Sequence, residues 1–266
     1  MREFYLYIDG VTYDLNGGKY LFVNPTGLGV VFNNNLFDIG DGFAVSTKRE
    51  QKIGQVVGKL VFFRDGTSIP YDVYHEFSDL LMRTERTVVL GYKPSDTLYK
   101  ANVKVAYLTK TESFDNQFIE IPVAFDLMSL WYTEETASQV SGEYSITRGG
   151  QYPMAVRIDC PHHYGHPHIK IVETASRRTV QELTSDLTSI LTGGTFHYSN
   201  EPDNSHFTDA PSGSFVVDLS PYITNISTPE LIYGRPRYNS TVTVEDSEEG
   251  LPLTFSITVF RYWRTV

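Results

Sequence analysis

The chain has 266 residues, 41% of them hydrophobic and 20% charged, with a formal net charge of −10 at neutral pH. That balance excludes a disordered chain, and the length is more than one typical core needs, so two domains are expected. The acidic charge, with no run of Lys or Arg of useful length, excludes a free-standing DNA or RNA binder, which needs a basic face to offset phosphate. The single cysteine, Cys160, permits no internal disulfide, so the fold does not rely on an oxidising compartment. Met1 to Asp9 lack the apolar core and cleavage site of a signal peptide, and no stretch approaches a membrane span. Synthesis in a cytoplasm and no integral membrane contact are expected.

Residues 4–8 read as a first strand closed by Asp9-Gly10, and Asn16-Gly17-Gly18 as a turn before a strand at Tyr20–Val23. Asn24 to Gly29 is loop-like before Val30–Phe32, and Asn33-Asn34-Asn35 with Gly40-Asp41-Gly42 bracket irregular chain. The charges Lys48, Arg49, Glu50 and Lys52 suit a solvated edge or hairpin tip.

Residues 53–63 are apolar and β-branched, and Arg64 to Thr67 is turn chemistry. Pro70 sits where a helix begins, because its missing N–H would go unpaired there anyway. Val73, Tyr74, Phe77, Leu80 and Leu81 then make one apolar stripe at helical spacing, predicting a helix over 70–84. Asp72 and Glu76 near its start and Arg83 near its end suit the helix dipole. A short strand at Thr87–Tyr92 stops before Pro94. Tyr99, Ala101, Val103, Val105 and Tyr107 alternate with polar residues, as do Ile119, Ile121, Val123, Phe125 and Leu127 after a turn at 110–115. The pattern predicts a hairpin with one buried face. Thr133 to Ser138 is polar and without apolar periodicity, and marks a domain boundary, giving domains 1–132 and 133–266.

The second half carries candidate strands at 154–159, 169–173, 195–199, 214–219, 241–245 and 253–263, separated by turn and loop signals at 149–150, 193–194, 201–204 and 248–250. Many short strands at such spacing predict a β-sandwich. Val180, Leu183, Leu187, Ile190 and Leu191 are spaced like a helix face while Thr and Ser between them favour strand, and the segment stays open.

Candidate chemistry is sparse. Cys160, His162, His163, His166 and His168 form the only cluster of soft metal ligands, but they match no standard spacing, and a polar loop between strands explains them. No nucleophile elbow or phosphate-cradling glycine loop is present, and Glu120, Asp126, Asp159 and Asp218 cannot be paired as glycosidase carboxylates. No enzyme activity and no cofactor are expected. Tyr198, His206, Phe207, Tyr233, Tyr238, Tyr262 and Trp263 offer a sugar platform, the basis of an alternative reading as a carbohydrate-binding adhesion module for a host cell wall; sandwich core is the competing explanation.

The order of parts is itself informative. A strand–turn–helix unit at Val56–Arg83 carries Pro70-Tyr71-Asp72-Val73-Tyr74-His75-Glu76-Phe77, a hairpin closes on Ile121-Pro122-Val123-Ala124-Phe125-Asp126-Leu127, and a sandwich ends on Phe255–Trp263. This arrangement resembles the distal tail proteins of siphophages and related phage tail components. The resemblance implies a mainly β fold: a sandwich-like N-terminal domain with one packed helix, then a galectin-like C-terminal β-sandwich. It implies a homohexameric head-to-tail ring at the virion tail tip, made in the host cytoplasm. It further implies contact with the tail-tube protein on one side and a tail-associated lysin or tail fibre protein on the other. The C-terminal domain would then be the docking point for a receptor-binding protein. An acidic surface suits a ring that DNA slides past. One ring contact is expected at a free edge of the apolar strand, through Val57, Lys59, Val61 and Phe63.

Overall fold

Glu3–Ile8 alternates half-buried with buried residues, and that period of two makes it a strand, β1, with Phe4, Leu6 and Ile8 turned inward. The structure, a computed structural model, describes residues 2–29, 31–40, 43–52, 54–82, 88–109, 117–161, 165–188, 196–202, 204–209, 217–224, 232–264 and 266. The described chain is mainly β and forms two units, Met1–Tyr132 with Trp263–Val266, and Thr133–Tyr262.

In the first unit β1 is followed by β2 (Val11–Asp14), β3 (Asn16–Gly17), β4 (Tyr20–Thr26), β5 (Val31–Gly40), β6 (Phe43–Lys52), β7 (Gln55–Phe63) and α1 (Pro70–Met82). Then come β8 (Val88–Lys93), β9 (Tyr99–Leu108), β10 (Phe118–Leu127) and the start of β11 (Trp131–Ser141). The antiparallel neighbours run β3-β4-β7-β10-β9-β8-β1-β2. The sheet curls until its ends meet at Asn16, whose side chain accepts the Phe4 N–H at 2.6 Å and donates to the Phe4 carbonyl at 3.0 Å. Against its inner face lies α1, which buries Val73, Tyr74, Phe77 and Leu81 as the stripe predicts. Phe77 meets Tyr20, Phe62 and Tyr13 at ring distances of 4.6, 5.6 and 5.8 Å. A Cβ at Gly58 would stand 2.5 Å from the Phe22 ring, so glycine lets that ring lie flat on β7.

Four expectations need correction here. Asn33 to Asn35 are not irregular: they pair with Glu50, Arg49 and Lys48 in a hairpin of β5 and β6. A polar stretch paired with a polar stretch leaves no apolar alternation to read. β4 continues to Thr26 through a register shift after Val23, where Asn24-Pro25 read as loop. The hairpin of β9 and β10 forms as predicted, but a bulge between Ala124 and Phe125 turns Tyr107 outward, 41% exposed, and turns Leu108 inward instead. Thr133 to Ser138 is strand, part of β11, with its polar side chains mostly exposed. Residues 83–87 and 110–116, which hold Arg83 and the hairpin turn, lie outside the described residues.

The second unit is a sandwich. Its strands are β12 (Glu143–Ile146), β13 (Ala155–Cys160), β14 (Pro167–Glu173), β15 (Thr179–Thr184), β16 (Phe196–Glu201), β17 (Asn204–Asp209), β18 (Val217–Asp218), β19 (Ser240–Asp246), β20 (Leu251–Pro252) and β21 (Thr254–Trp263). One sheet runs β18-β17-β16-β13-β21-β11 and the other β12-β19-β14-β15, with β20 beside β19. Val156, Ile158, Tyr198, Phe207, Phe255, Ile257 and Val259 from the first meet Ile146, Ile169, Ile171, Leu183, Val242 and Val244 from the second in one core. Phe255, Ile257 and Val259 all point inward, as their alternation predicts. The first part of the open segment is strand β15, with Leu183 buried and Val180 half-buried; Leu187 follows the strand and packs half-buried on the core, and Ile190 and Leu191 lie outside the described residues.

Candidate assembly surface

Cross-strand partners in an antiparallel sheet share a face, so the register of β4, β7, β10 and β9 fixes what the first unit presents on its outer side. β7 alternates Val56, Leu60 and Phe62 into the core with Val57, Lys59, Val61 and Phe63 outward. The outward rows are Phe63 with Phe118; Leu21, Val61 and Glu120; Val23, Lys59 and Pro122; and Val57, Ala124 and Tyr107. The result is an outer sheet face of Leu21, Val23, Val57, Val61, Phe63 and Phe118, extended by Tyr107. Phe63 and Phe118 lie 6.4 Å apart ring to ring. Across the middle runs one ion pair, Lys59 with Glu120, whose side chains are about half and a third exposed. Val61 and Ala124 are buried, at 8% and 0%, yet belong to the outer side and not to the core behind it.

The expected free edge is corrected by this geometry. β7 is hydrogen-bonded on both sides, to β10 along Phe118–Asp126 and to β4 along Tyr20–Thr26, so no backbone edge is open at Val57, Lys59, Val61 or Phe63. What these residues offer is a face. Leu21, Val23, Phe118, Pro122 and Tyr107 share it, and strand-by-strand reading missed them because register and the bulge set their side.

The cysteine–histidine loop is dispersed. Cys160 is buried, its thiol donates to the Thr254 carbonyl at 3.4 Å, and burial pushes its pKa up to about 12. His168 has Glu245 at 3.0 Å from Nδ1 and Glu182 at 3.2 Å from Nε2, and His166 Nε2 lies 2.9 Å from Glu248. Burial pushes the Glu182 carboxyl upward, but Lys170 and His168 outweigh it and hold it below its ordinary value. Among the described residues no three His, Cys, Asp or Glu side chains group as a metal site would need; His162 and His163 lie outside them. Of the carboxylates weighed for glycoside hydrolysis, Glu120 pairs with Lys59, Asp126 with the Gln55 amide, and Asp159 with His197. Asp218 accepts the Ser220 N–H.

The aromatic platform also comes apart. Tyr198, Phe207 and Tyr262 are core, and Tyr233 stacks on Tyr198 at 5.9 Å. Trp263 belongs to the first unit, against Tyr99. His206 is half-buried and Tyr238 stays 52% exposed.

Residues 4–128 match the family described as the distal tail protein, N-terminal domain. Over 129 residues the chain is 29% identical to the distal tail protein of Lactococcus phage p2, a stretch covering 48% of this chain and 42% of that relative, less than half its length. In fold it is similar to a chain of the phage P2 baseplate in its activated conformation with calcium, with a TM-score of 0.74 at 16% identity over the whole of both chains. The SPP1 Dit protein, described as a hub of the adsorption apparatus in phages infecting Gram-positive hosts, gives a TM-score of 0.58 at 15% identity over 97% of this chain and 98% of that one. The mainly β architecture and the N-terminal sequence agree: residues 4–128, just under half of the chain, are similar to the N-terminal domain of distal tail proteins, and the fold is similar to that of phage baseplate components.

Proposed function

We propose that this chain is the structural hub of a phage tail tip. Copies assemble head-to-tail into a hexameric ring, with the outer sheet face of the first unit as one side of each contact. The observation that carries the reading is the face itself. Half-buried Val57, Phe63, Leu21, Val23 and Phe118 surround one Lys–Glu pair, a composition suited to an interface core with a polar spot that fixes register. A heterologous contact of this kind closes into a ring when its rotation divides a full turn. On this reading the ring joins the tail-tube protein on one side and a tail-associated lysin or tail fibre protein on the other. The second unit docks a receptor-binding protein. The protein is made in the bacterial cytoplasm and works at the virion tail tip through its surfaces, with no catalytic residue.

The test substitutes side chains that point outward and leaves the core alone. Phe63→Asp with Tyr107→Asp should convert rings to monomers in light scattering and negative-stain images, while far-UV circular dichroism stays that of the parent. Intact six-fold rings in the folded double variant would overturn the proposed face. A parent chain that stays monomeric at every concentration would overturn the ring.

A further inference from the structure

The second unit carries a pocket of about 280 Å³ lined by Arg148, Gly150, Gln151, Tyr152, Pro153, Arg237 and Tyr238. Hydrogen bonds donated by backbone N–H groups hold its two walls in place. The Arg148 N–H donates to Asn239 Oδ1 at 2.7 Å, and the Met154 N–H to the Pro236 carbonyl at 2.8 Å. The buried Glu173 carboxylate accepts the Arg237 N–H at 3.3 Å. The floor is pinned as well: the Gln151 N–H donates to the Tyr262 carbonyl at 2.8 Å. Gly150 has φ +80°, and a Cβ there would stand 2.5 Å from that same carbonyl, so the position needs glycine on both counts.

Two arginines in one pocket stand out in a chain of net charge −10. Nearby Arg261 is paired with Glu135 at 2.6 Å, whereas among the described residues no carboxylate lies within ion-pair distance of the Arg148 or Arg237 guanidinium. Arg148 lies over the Tyr238 ring at 5.5 Å, which holds it on one side of the pocket with its donors free. Tyr238, half exposed, and the half-buried Tyr152 both line the pocket, each from a different wall. Guanidinium forks match a phosphate, and aromatic faces match the C–H face of a sugar ring. We propose that this pocket binds a phosphorylated saccharide, with Arg148 and Arg237 on the phosphate and Tyr152 and Tyr238 on the sugar. Its volume, at the small end of ligand pockets, which run from roughly 300 Å³, fits one sugar unit. The inference stands whether or not copies of the chain form a ring.

Titration calorimetry on the full chain at low salt tests it, with N-acetylglucosamine 1-phosphate, N-acetylglucosamine, inorganic phosphate and a phosphoserine peptide as probes. The sugar phosphate should bind at least about tenfold more tightly than either half alone, and the double variant Arg148→Gln, Arg237→Gln should lose on the order of tenfold or more. Tyr238→Ala should erase the advantage of the sugar while phosphate binding persists. A polymer with bridging phosphodiesters, run beside the monoester, separates a bridging from a terminal phosphate, and saturable binding of either supports the pocket. Binding unchanged in a folded double-arginine variant overturns the proposal. So does a phosphopeptide that binds as tightly as the sugar phosphate, or no saturation by any sugar phosphate.

Discussion

The two units solve the same inward problem and differ outward. Each turns one side of its sheets to a core of Val, Ile, Leu and aromatics. On the far side, the first unit places Leu21, Val23, Val57, Val61, Phe63 and Phe118 around the Lys59–Glu120 ion pair. The second unit shows charge and hydroxyl: His168 between Glu245 and Glu182, Lys170 on Glu182, Arg157 on Glu201, Thr136 beside Thr258. A solvated face gains nothing from apolar residues, so the contrast points to protein contact for the first and to solvent or small ligands for the second. On the proposed reading of the chain as a tail-tip hub, the outward residues carry the functional information and the inward ones carry the fold.

The comparison is broken most severely from inside. Phe77→Ala removes a side chain that is 1% exposed and touches three rings, and should cost about 3–5 kcal/mol in denaturant unfolding. Hydrogen exchange should then quicken in β4, β7 and β10 while β13, β16 and β21 keep their protection. Equal loss in both sets would mean that the units do not fold separately. A smaller effect comes from alkali. Folded Cys160 titrates near 12, against an ordinary value of 9.0, and burial raises Tyr198 as well. Groups with raised folded values favour the protonated native state, so their contribution is complete below about pH 9 and is lost as pH climbs toward 12. Cys160→Val should flatten the decline in stability across that window, and the native thiol should resist labelling at neutral pH. An identical alkaline profile in the variant would remove Cys160 from the account. The smallest effect sharpens the outward contrast. Glu182 is held below its ordinary value, so its contribution is present above that value and fades as pH falls through the folded one. Glu182→Gln on this partly exposed face should cost no more than about 1 kcal/mol at neutral pH and nothing in acid.

Local chemistry wrote much of this fold into the chain. The Pro70 start and the stripe of Val73, Tyr74, Phe77 and Leu81 specify α1, and alternation specifies β1, β10 and β21. Both depend only on neighbours within a turn or a pleat. Strands without alternation stayed hidden: β2 is mostly exposed and β5 is rich in asparagine, and each is strand because a partner pairs with it.

The candidate surface divides the same way. Sequence alone determined that β7 is apolar on both sides. Only the tertiary structure decided that β7 lies between β4 and β10, that Tyr107 turns outward at a bulge, and that Arg148 lines one pocket with Arg237 and Tyr238 across 89 residues of chain, from 148 to 237. Burial preference belongs to a residue, whereas register and the meeting of distant loops belong to strand pairing, and pairing is set by the whole sheet.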